Sequence, residues 1–131
     1  ELALAAFAAA RLSGPEERSP PSPRAARLVA AANDALRAQF SESLRVQQLA
    51  RALGVSPSYL ARIYRAHEGH TLYEQVTRLR VSTALARLGS GANDLTQLAF
   101  DLGFSSHSHF TAAFKRLVGQ TPSTFRMGSQ I

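Results

Sequence analysis

The sequence predicts an all-α fold in which about seven helices form two helix-turn-helix subdomains joined by a long central helix. From residue 24 onward, apolar residues recur at the spacing of a helix face, and no run alternates with the period of two that a strand requires. Glycines and capping residues divide this region into helix-sized segments. The segment at 47–56 recurs in similar form at 96–105, which predicts that one supersecondary unit occurs twice.

The region before residue 24 differs in composition from the rest of the chain. Residues 1–12 are mostly apolar, and we interpret them as the remnant of a preceding sensing or dimerisation domain. They lack the basic start of a signal peptide. Residues 13–23 contain four prolines and one glycine, which predicts an extended linker. The main domain is therefore predicted over residues 24–131.

Three helices are predicted at the start of this domain. The first covers residues 24–40 and has an apolar stripe formed by Leu28, Ala31, Ala32, Ala35, Leu36 and Phe40. The second covers residues 46–53, and the third begins after Ser56, which acts as N-cap, and ends at about residue 67 before Gly69. The first helix-turn-helix unit thus spans about residues 46–67.

A long helix is predicted to follow the first unit. Thr71 and Glu74 have the T-x-x-E spacing of a capping box, and Gly89 and Gly91 end the helix. One face of this helix is predicted to be apolar and to consist of Leu72, Val76, Leu79, Thr83 and Ala86.

The same signals then occur a second time. Asp94 and Gln97 have capping-box spacing before a predicted helix over residues 95–102. Either Ser105 or Ser106 caps the next helix. A last short helix begins at Thr121 and Pro122. This second unit is predicted at about residues 95–118.

Five positions match between the two units at a constant offset of 49 residues. They are Leu49, Ala50, Leu53, Gly54 and Ser56 in the first unit, and Leu98, Ala99, Leu102, Gly103 and Ser105 in the second. A small alanine lets two helices pack closely, glycine tolerates the positive φ of a tight corner, and serine caps the new helix. Leu60 and Tyr64 match Phe110 and Phe114 if the second unit has one extra residue. Helical hairpins packed for structural reasons alone remain an alternative explanation of the repeat.

The charge distribution favours a polyanionic partner. The formal net charge is +6, and 13 basic but only 6 acidic residues follow residue 23. Nucleic acid is the commonest such partner, and an anionic membrane surface or solubility alone would also fit. No apolar run approaches the ~20 residues needed to cross a bilayer, so no membrane association is predicted. Cysteine is absent, which excludes disulfides and thiolate metal sites and favours a cytoplasmic location.

The second unit and its tail resemble the AraC/XylS-type transcription regulators. The matching residues are Leu95, Ala99, Gly103, Phe104, Ser105, Phe110, Phe114, Lys115, Gly119, Thr121, Pro122, Phe125 and Arg126. The resemblance covers about residues 25–128 and implies sequence-specific binding of double-stranded DNA at a promoter or operator by a bacterial transcription regulator. It implies that the two recognition helices enter two adjacent major-groove segments. It further implies contact with RNA polymerase and an effector that binds an N-terminal domain outside this sequence.

Outward-facing residues of the two recognition helices are the candidate base contacts, because base edges are contacted from the exposed N-terminal half of such a helix. The candidates are Ser58, Ala61 and Arg62 in the first unit and His107, Ser108, Thr111 and Ala112 in the second. The arginine can bond a guanine edge, and Ala61 can touch a thymine methyl group. The candidate phosphate contacts are Tyr59, Arg65, Lys115, Arg116 and Thr121.

Two residues depart from the family pattern. Arg45 lies where the family often has a capping Ser or Thr, and a cation opposes the dipole at a helix N-terminus. We therefore expect this helix start to fray or Arg45 to turn outward. Ala112 is small where other members can have a long polar side chain, which predicts that the first unit supplies most of the sequence discrimination.

Other functional classes have less support from the sequence. The four histidines are not accompanied by cysteine or by an HExxH pattern, so no metal site is predicted. No nucleophile elbow, phosphate-binding glycine loop or dinucleotide fingerprint is present, so neither enzymatic activity nor a cofactor is expected. A basic helical protein-interaction module is the main alternative. RNA binding is a weaker one, because the aromatic residues lie mostly at buried spacing.

Overall fold

The computed structural model describes residues 22–129, and within that range the chain forms seven helices and no strand, as the sequence predicts. The helices are α1 (Pro23–Gln39), α2 (Val46–Leu53), α3 (Pro57–Glu68), α4 (Leu72–Gly89), α5 (Leu95–Asp101), α6 (His107–Val118) and α7 (Pro122–Ser129). The interpretation of residues 1–12 as a domain remnant lies outside the described residues, as does most of the predicted linker.

The described residues form two compact units. The N-terminal unit contains residues 22–38 and 45–75, and the C-terminal unit contains residues 39–44 and 76–129. The chain therefore contributes a short segment to the C-terminal unit between α1 and α2 and then returns to the N-terminal unit. Each unit contains one complete pair of helix-turn-helix helices, α2 with α3 and α5 with α6.

The buried stripe of α1 differs from the predicted one. Its buried residues are Ala25, Val29, Ala32 and Leu36, so the prediction is confirmed for Ala32 and Leu36. Val29 is 1% exposed, whereas Leu28 is only partly buried, so the stripe is centred nearer to Val29 than predicted. The prediction also extended the helix and its stripe to Phe40, but α1 ends at Gln39 and Phe40 packs against the core of the C-terminal unit. Phe40 fits the helical spacing of α1, but it belongs to the C-terminal unit.

A buried tyrosine fixes the recognition helix of the N-terminal unit against α1. Tyr64 is 0% exposed, and its hydroxyl donates a 2.6 Å hydrogen bond to Oδ1 of Asn33. The ring also makes an edge contact with His70, which bonds in turn to Gln75 at 2.7 Å. Because an unpaired hydroxyl at this depth would be costly, the bond to Asn33 favours the observed rotation of α3 about its own axis.

The capping box at the start of α4 forms as predicted. The Thr71 N–H donates to Oε1 of Glu74 at 2.9 Å, and the Glu74 N–H donates to Oγ1 of Thr71 at 3.1 Å. Because the Thr71 N–H bonds the ionised carboxylate, the pKa of Glu74 is lower than its usual value.

The predicted apolar face of α4 is correct only for its first two members, Leu72 and Val76. Further along the helix the buried residues are Val81, Ala84 and Leu88. Leu79 and Thr83 are only partly buried and Ala86 is exposed. The helix belongs to the N-terminal unit up to residue 75 and to the C-terminal unit from residue 76, so its two ends bury different sides and no single stripe describes both.

A buried arginine holds the 39–44 segment in the C-terminal unit. Arg80 is 8% exposed, and its guanidinium donates to the carbonyl oxygens of Phe40 at 2.7 Å and Glu42 at 2.9 Å. It also lies 5.5 Å from the ring centroid of Phe104. Burial lowers the pKa of Arg80, but the group stays charged and both carbonyls accept charge-assisted bonds.

The predicted capping box at the start of α5 forms only in half. The carboxylate of Asp94 accepts from the Gln97 N–H at 3.0 Å. The Gln97 amide does not reach back to Asp94; it donates instead to Asp101, one turn further along the helix, at 2.8 Å. The Asp101 carboxylate accepts from Nε2 of Gln97 and so draws this side chain along the helix, away from the Asp94 N–H to which its Oε1 would bond in a complete capping box.

Candidate nucleic-acid interface

The two turns close through the same backbone bonds. In the N-terminal unit the Val55 N–H donates to the Ala50 carbonyl at 3.0 Å, and in the C-terminal unit the Phe104 N–H donates to the Ala99 carbonyl at 3.1 Å. Ala50 is 0% and Ala99 2% exposed, so the helices pack closely at these alanines. This confirms that the repeat read from the sequence is one supersecondary unit used twice.

The two turn glycines share one requirement, a positive φ, and Gly103 has a second one. Both have positive φ, 74° at Gly54 and 93° at Gly103, as the sequence predicts. A Cβ atom on Gly54 would meet nothing within 4 Å. A Cβ atom on Gly103 would lie 2.4 Å from the carbonyl oxygen of Ser41 and 3.1 Å from the Arg80 guanidinium. Gly103 therefore also makes room for the 39–44 segment, which the sequence does not indicate.

The N-caps show where the extra residue of the second unit lies. Ser56 accepts from the Tyr59 N–H at 3.1 Å, and Ser106 accepts from the His109 N–H at 3.0 Å. The alignment of Ser56 with Ser105 is therefore wrong, because the extra residue is already inserted before the cap. The Ser105 hydroxyl lies 3.3 Å from Nδ1 of His109 and caps nothing.

The inner faces of the two recognition helices are equivalent once this residue is counted. Leu60 and Tyr64 follow Ser56 by four and eight residues, and Phe110 and Phe114 follow Ser106 by the same intervals. All four are 0% exposed, which confirms their predicted burial. These buried residues determine which side chains of α3 and α6 face away from each core.

On α3 the predicted base contacts are all accessible. Ser58, Ala61 and Arg62 are exposed, whereas Tyr59 and Arg65, the two predicted phosphate contacts, are partly buried. The guanidinium of Arg62 lies 5.2 Å from the ring centroid of Tyr59. The accessible side chains cover the first two turns of the helix, where a recognition helix contacts bases.

One further cation belongs to this surface and was not among the predicted contacts. Arg24, in the first turn of α1, is exposed and lies 5.7 Å from the ring centroid of Tyr59. Arg24 and Tyr59 are 35 positions apart in the sequence, so no local spacing rule could have revealed the pairing.

On α6 the predicted contacts are also accessible. His107, Ser108 and Ala112 are exposed and Thr111 is partly buried. The rings of His107 and the buried Phe110 make an edge contact with their centroids 6.4 Å apart, so the exposed histidine is supported by the core. Lys115 and Arg116, near the end of the helix, are exposed.

The starts of α2 and α7 differ in their capping, since only the residue before α7 caps its helix with a side chain. Arg45 is exposed and makes no capping bond from its side chain at the start of α2, in line with the expectation that it turns outward. Thr121 is partly buried, and its hydroxyl accepts from the Thr124 N–H at 3.2 Å. A phosphate at this position would therefore meet mainly the Ser123 N–H, because Pro122 has no N–H and the Thr124 and Phe125 N–H groups already donate to Thr121.

Residues 22–129 contain no group of three or more His, Asp or Glu side chains placed to bind a metal ion. In the same residues, no helix is both long enough and apolar enough to span a membrane.

One family model and several curated proteins match the chain over more than half of its length. A family model described as "Helix-turn-helix domain" matches residues 49–128. The chain is 38% identical over 81 residues to the HTH-type transcriptional regulator GlxA of Rhizobium meliloti, which covers 62% of the chain and 25% of that protein. It is 34% identical over 99 residues to a putative AraC-like transcription regulator of Streptomyces antibioticus, which covers 76% of the chain and 33% of that protein. The chain thus spans a quarter to a third of the length of these relatives.

Two solved structures resemble the chain over most of its length. The C-terminal domain of AraT, a response regulator from Geobacillus stearothermophilus, has a TM-score of 0.72 at 28% identity and covers 84% of the chain and 88% of that domain. The DNA-binding domain of AdpA, solved in complex with a target DNA, has a TM-score of 0.65 at 25% identity, with coverage of 82% and 93%.

Proposed function

The chain belongs to the AraC-type helix-turn-helix family, and from this premise we propose that it binds double-stranded DNA sequence-specifically and regulates bacterial transcription. The carrying observation is that two capped recognition helices, α3 and α6, have equivalent buried faces and accessible outer faces. The DNA complex of the similar AdpA domain supports the choice of partner. We assign the DNA-binding function to residues 24–131.

We assign the DNA contacts to the outer faces of α3 and α6 and to the start of α7. Base edges are contacted by Ser58, Ala61, Arg62, His107, Ser108, Thr111 and Ala112, and phosphates by Tyr59, Arg65, Lys115, Arg116 and Thr121. Each recognition helix enters one of two adjacent major-groove segments. Arg62 is the principal discriminating residue, because a guanidinium can bond both acceptors of a guanine edge at once.

The remaining parts of the proposal concern the whole protein. We place its action in the cytoplasm, with a contact to RNA polymerase during regulation and an effector bound by another domain. No catalytic activity or cofactor is assigned to residues 24–131. These statements rest on the family, whose longer members the chain matches over only part of their length.

Selection of bound duplexes from a random DNA library tests the proposal. We expect one asymmetric motif with two sequence blocks about one helical turn apart, bound more weakly as salt rises. Failure to recover a motif would contradict sequence-specific binding and favour a protein-interaction module. Preferential binding of RNA in direct competition would contradict the choice of duplex DNA.

The substitution Arg62→Ala tests the assignment of the main contact. Loss of one bidentate base contact should weaken binding to the selected duplex by about 5- to 150-fold and remove the preference at one base pair. Arg37→Ala is the control, since Arg37 is an exposed arginine of the same charge that pairs with Asp34 on the surface of α1. Equal losses in the two variants would mean that Arg62 contributes charge and no sequence discrimination.

A further inference from the structure

Three side chains of the N-terminal unit form a cluster that the proposed function does not fully use. The Tyr59 ring lies 5.7 Å from the guanidinium of Arg24 and 5.2 Å from that of Arg62. Both distances are within the ~6 Å range of cation–π contacts. The cluster joins the first turn of α1 to the first two turns of the recognition helix α3.

The cluster holds two positive charges together without a neutralising partner from the protein. Among residues 22–129, neither Arg24 nor Arg62 has a carboxylate within ion-pair distance. Both arginines are exposed. Like charges held at one ring repel each other, and a bound anion would relieve that repulsion. The arrangement therefore favours an anionic ligand at this position.

The tyrosine can supply a donor to the same ligand. Tyr59 is partly buried, so its ring is held in place, while its hydroxyl has no hydrogen-bond partner among the described residues. A phosphate oxygen beside this hydroxyl would receive one neutral and one charged hydrogen bond. Guanidinium groups suit this task because their planar donors match phosphate oxygens.

We propose that Arg24 and the Tyr59 hydroxyl bind the DNA backbone phosphate next to the base that Arg62 contacts, and that the Tyr59 ring positions the Arg62 guanidinium. Arg24 is thus a further DNA-contacting residue, and it extends the interface from the recognition helix to the start of α1. Tyr59 is a positioning residue for sequence discrimination as well as a phosphate contact. This inference rests on the proposed function.

The first test compares Arg24→Ala with Arg27→Ala. Arg27 is the matched control, because it is an exposed arginine of the same helix that lies three residues further on and has no contact with Tyr59 in the structure. Affinity is measured for the selected duplex and for an unrelated duplex at several salt concentrations, and circular dichroism checks that each variant is folded.

Loss of Arg24 should weaken binding to both duplexes by a similar factor and leave the selected motif unchanged. It should also reduce the slope of log affinity against log salt by about 0.9, the value for one phosphate contact. Arg27→Ala should also leave the motif unchanged, and it should change the slope of log affinity against log salt by much less than about 0.9. If the two variants behave alike, Arg24 acts only through general charge and the inference is overturned.

The second test separates the ring of Tyr59 from its hydroxyl. Tyr59→Phe keeps the ring and should preserve the base preference assigned to Arg62 while weakening binding to both duplexes. Tyr59→Leu removes the ring and should also reduce that base preference by about two- to fivefold, as expected from an exposed cation–π contact. An unchanged base preference in Tyr59→Leu would overturn the positioning role.

The two proposals fail in distinguishable ways. If the wild-type chain recovers no motif, the proposed function fails and this inference falls with it. If the wild-type chain recovers a motif but Arg24→Ala behaves like Arg27→Ala and the Tyr59 variants behave like the wild type, only the inference fails.

Discussion

Replacement of Gly103 by alanine should destabilise the C-terminal unit much more than the equivalent change in the N-terminal unit. The methyl group would lie 2.4 Å from the Ser41 carbonyl oxygen and 2.8 Å from its carbon. These are backbone atoms held in place by the bonds from Arg80 to Phe40 and Glu42 on either side. The segment therefore cannot move aside without breaking these two partly buried hydrogen bonds.

The magnitude follows from two separate costs. A side chain at positive φ costs roughly 1–2 kcal/mol, and this cost applies to Gly54→Ala and Gly103→Ala alike. Overpacking against a fixed neighbour adds about 1–3 kcal/mol at Gly103 alone. We therefore expect the free energy of unfolding to fall by roughly 1–2 kcal/mol for Gly54→Ala and about 2–5 kcal/mol for Gly103→Ala.

Urea unfolding followed by far-ultraviolet circular dichroism measures the two losses, and hydrogen exchange of the α5 and α6 amides locates the second one. Gly54→Ala is the matched control, because its glycine has the same sign of φ and open space around it. Equal losses in the two variants would refute the steric argument and leave positive φ as the only requirement at both turns.

Two further predictions concern helix starts. Ser106→Ala should lower the free energy of unfolding by about 0.5–2 kcal/mol in the same urea assay, because it removes the cap of α6; Ser105→Ala should cost less than about 0.5 kcal/mol, and the reverse order would contradict the assigned cap. Glu74→Gln keeps a capping acceptor but loses the charge at the start of α4, which should cost about 0.3–1 kcal/mol near neutral pH. The Thr71 N–H lowers the pKa of Glu74, so the charge stabilises the fold above the unfolded pKa of about 4.5 and this stabilisation is lost as pH falls through the folded pKa. The difference in stability between wild type and Glu74→Gln should therefore disappear on acidification below that range, and a difference that persists would contradict the ionic origin.

Local signals predicted most of the helices correctly. Caps such as Ser56 and the capping box of Thr71 and Glu74 act over three residues, so their effect is visible in a short stretch of sequence. The repeat predicted the buried pair Leu60 and Tyr64, because equal spacing in two units implies an equal inner face. Physical rules of short range were sufficient for these features.

The features that the sequence did not predict depend on contacts between distant positions. The pairing of Arg24 with Tyr59, and that of Arg80 with the carbonyl of Phe40, join residues 35 and 40 positions apart. The buried side of α4 changes along its length because the helix is shared by two cores, each with its own apolar requirement. Neither the pairings of distant residues nor the change of buried side along α4 produces a regular spacing of apolar residues in the sequence. The base and phosphate contacts on α3 and α6 stay predictions until the binding experiments are done.

The segment at 39–44 limits how this domain can be divided. A fragment that begins at residue 76 would contain every helix of the second helix-turn-helix unit but would lack Phe40 and Glu42, whose carbonyls accept from Arg80. The guanidinium would then lose both carbonyl acceptors, and the surface of the C-terminal unit that the segment covers, beside Arg80 and Gly103, would be open to solvent. During synthesis this segment leaves the ribosome well before its partners in the C-terminal unit, which has to wait for α4 to α7 before its core can close. Although the motif occurs twice along the chain, the second copy is not an independent module that can be cut out or transplanted at a single peptide bond.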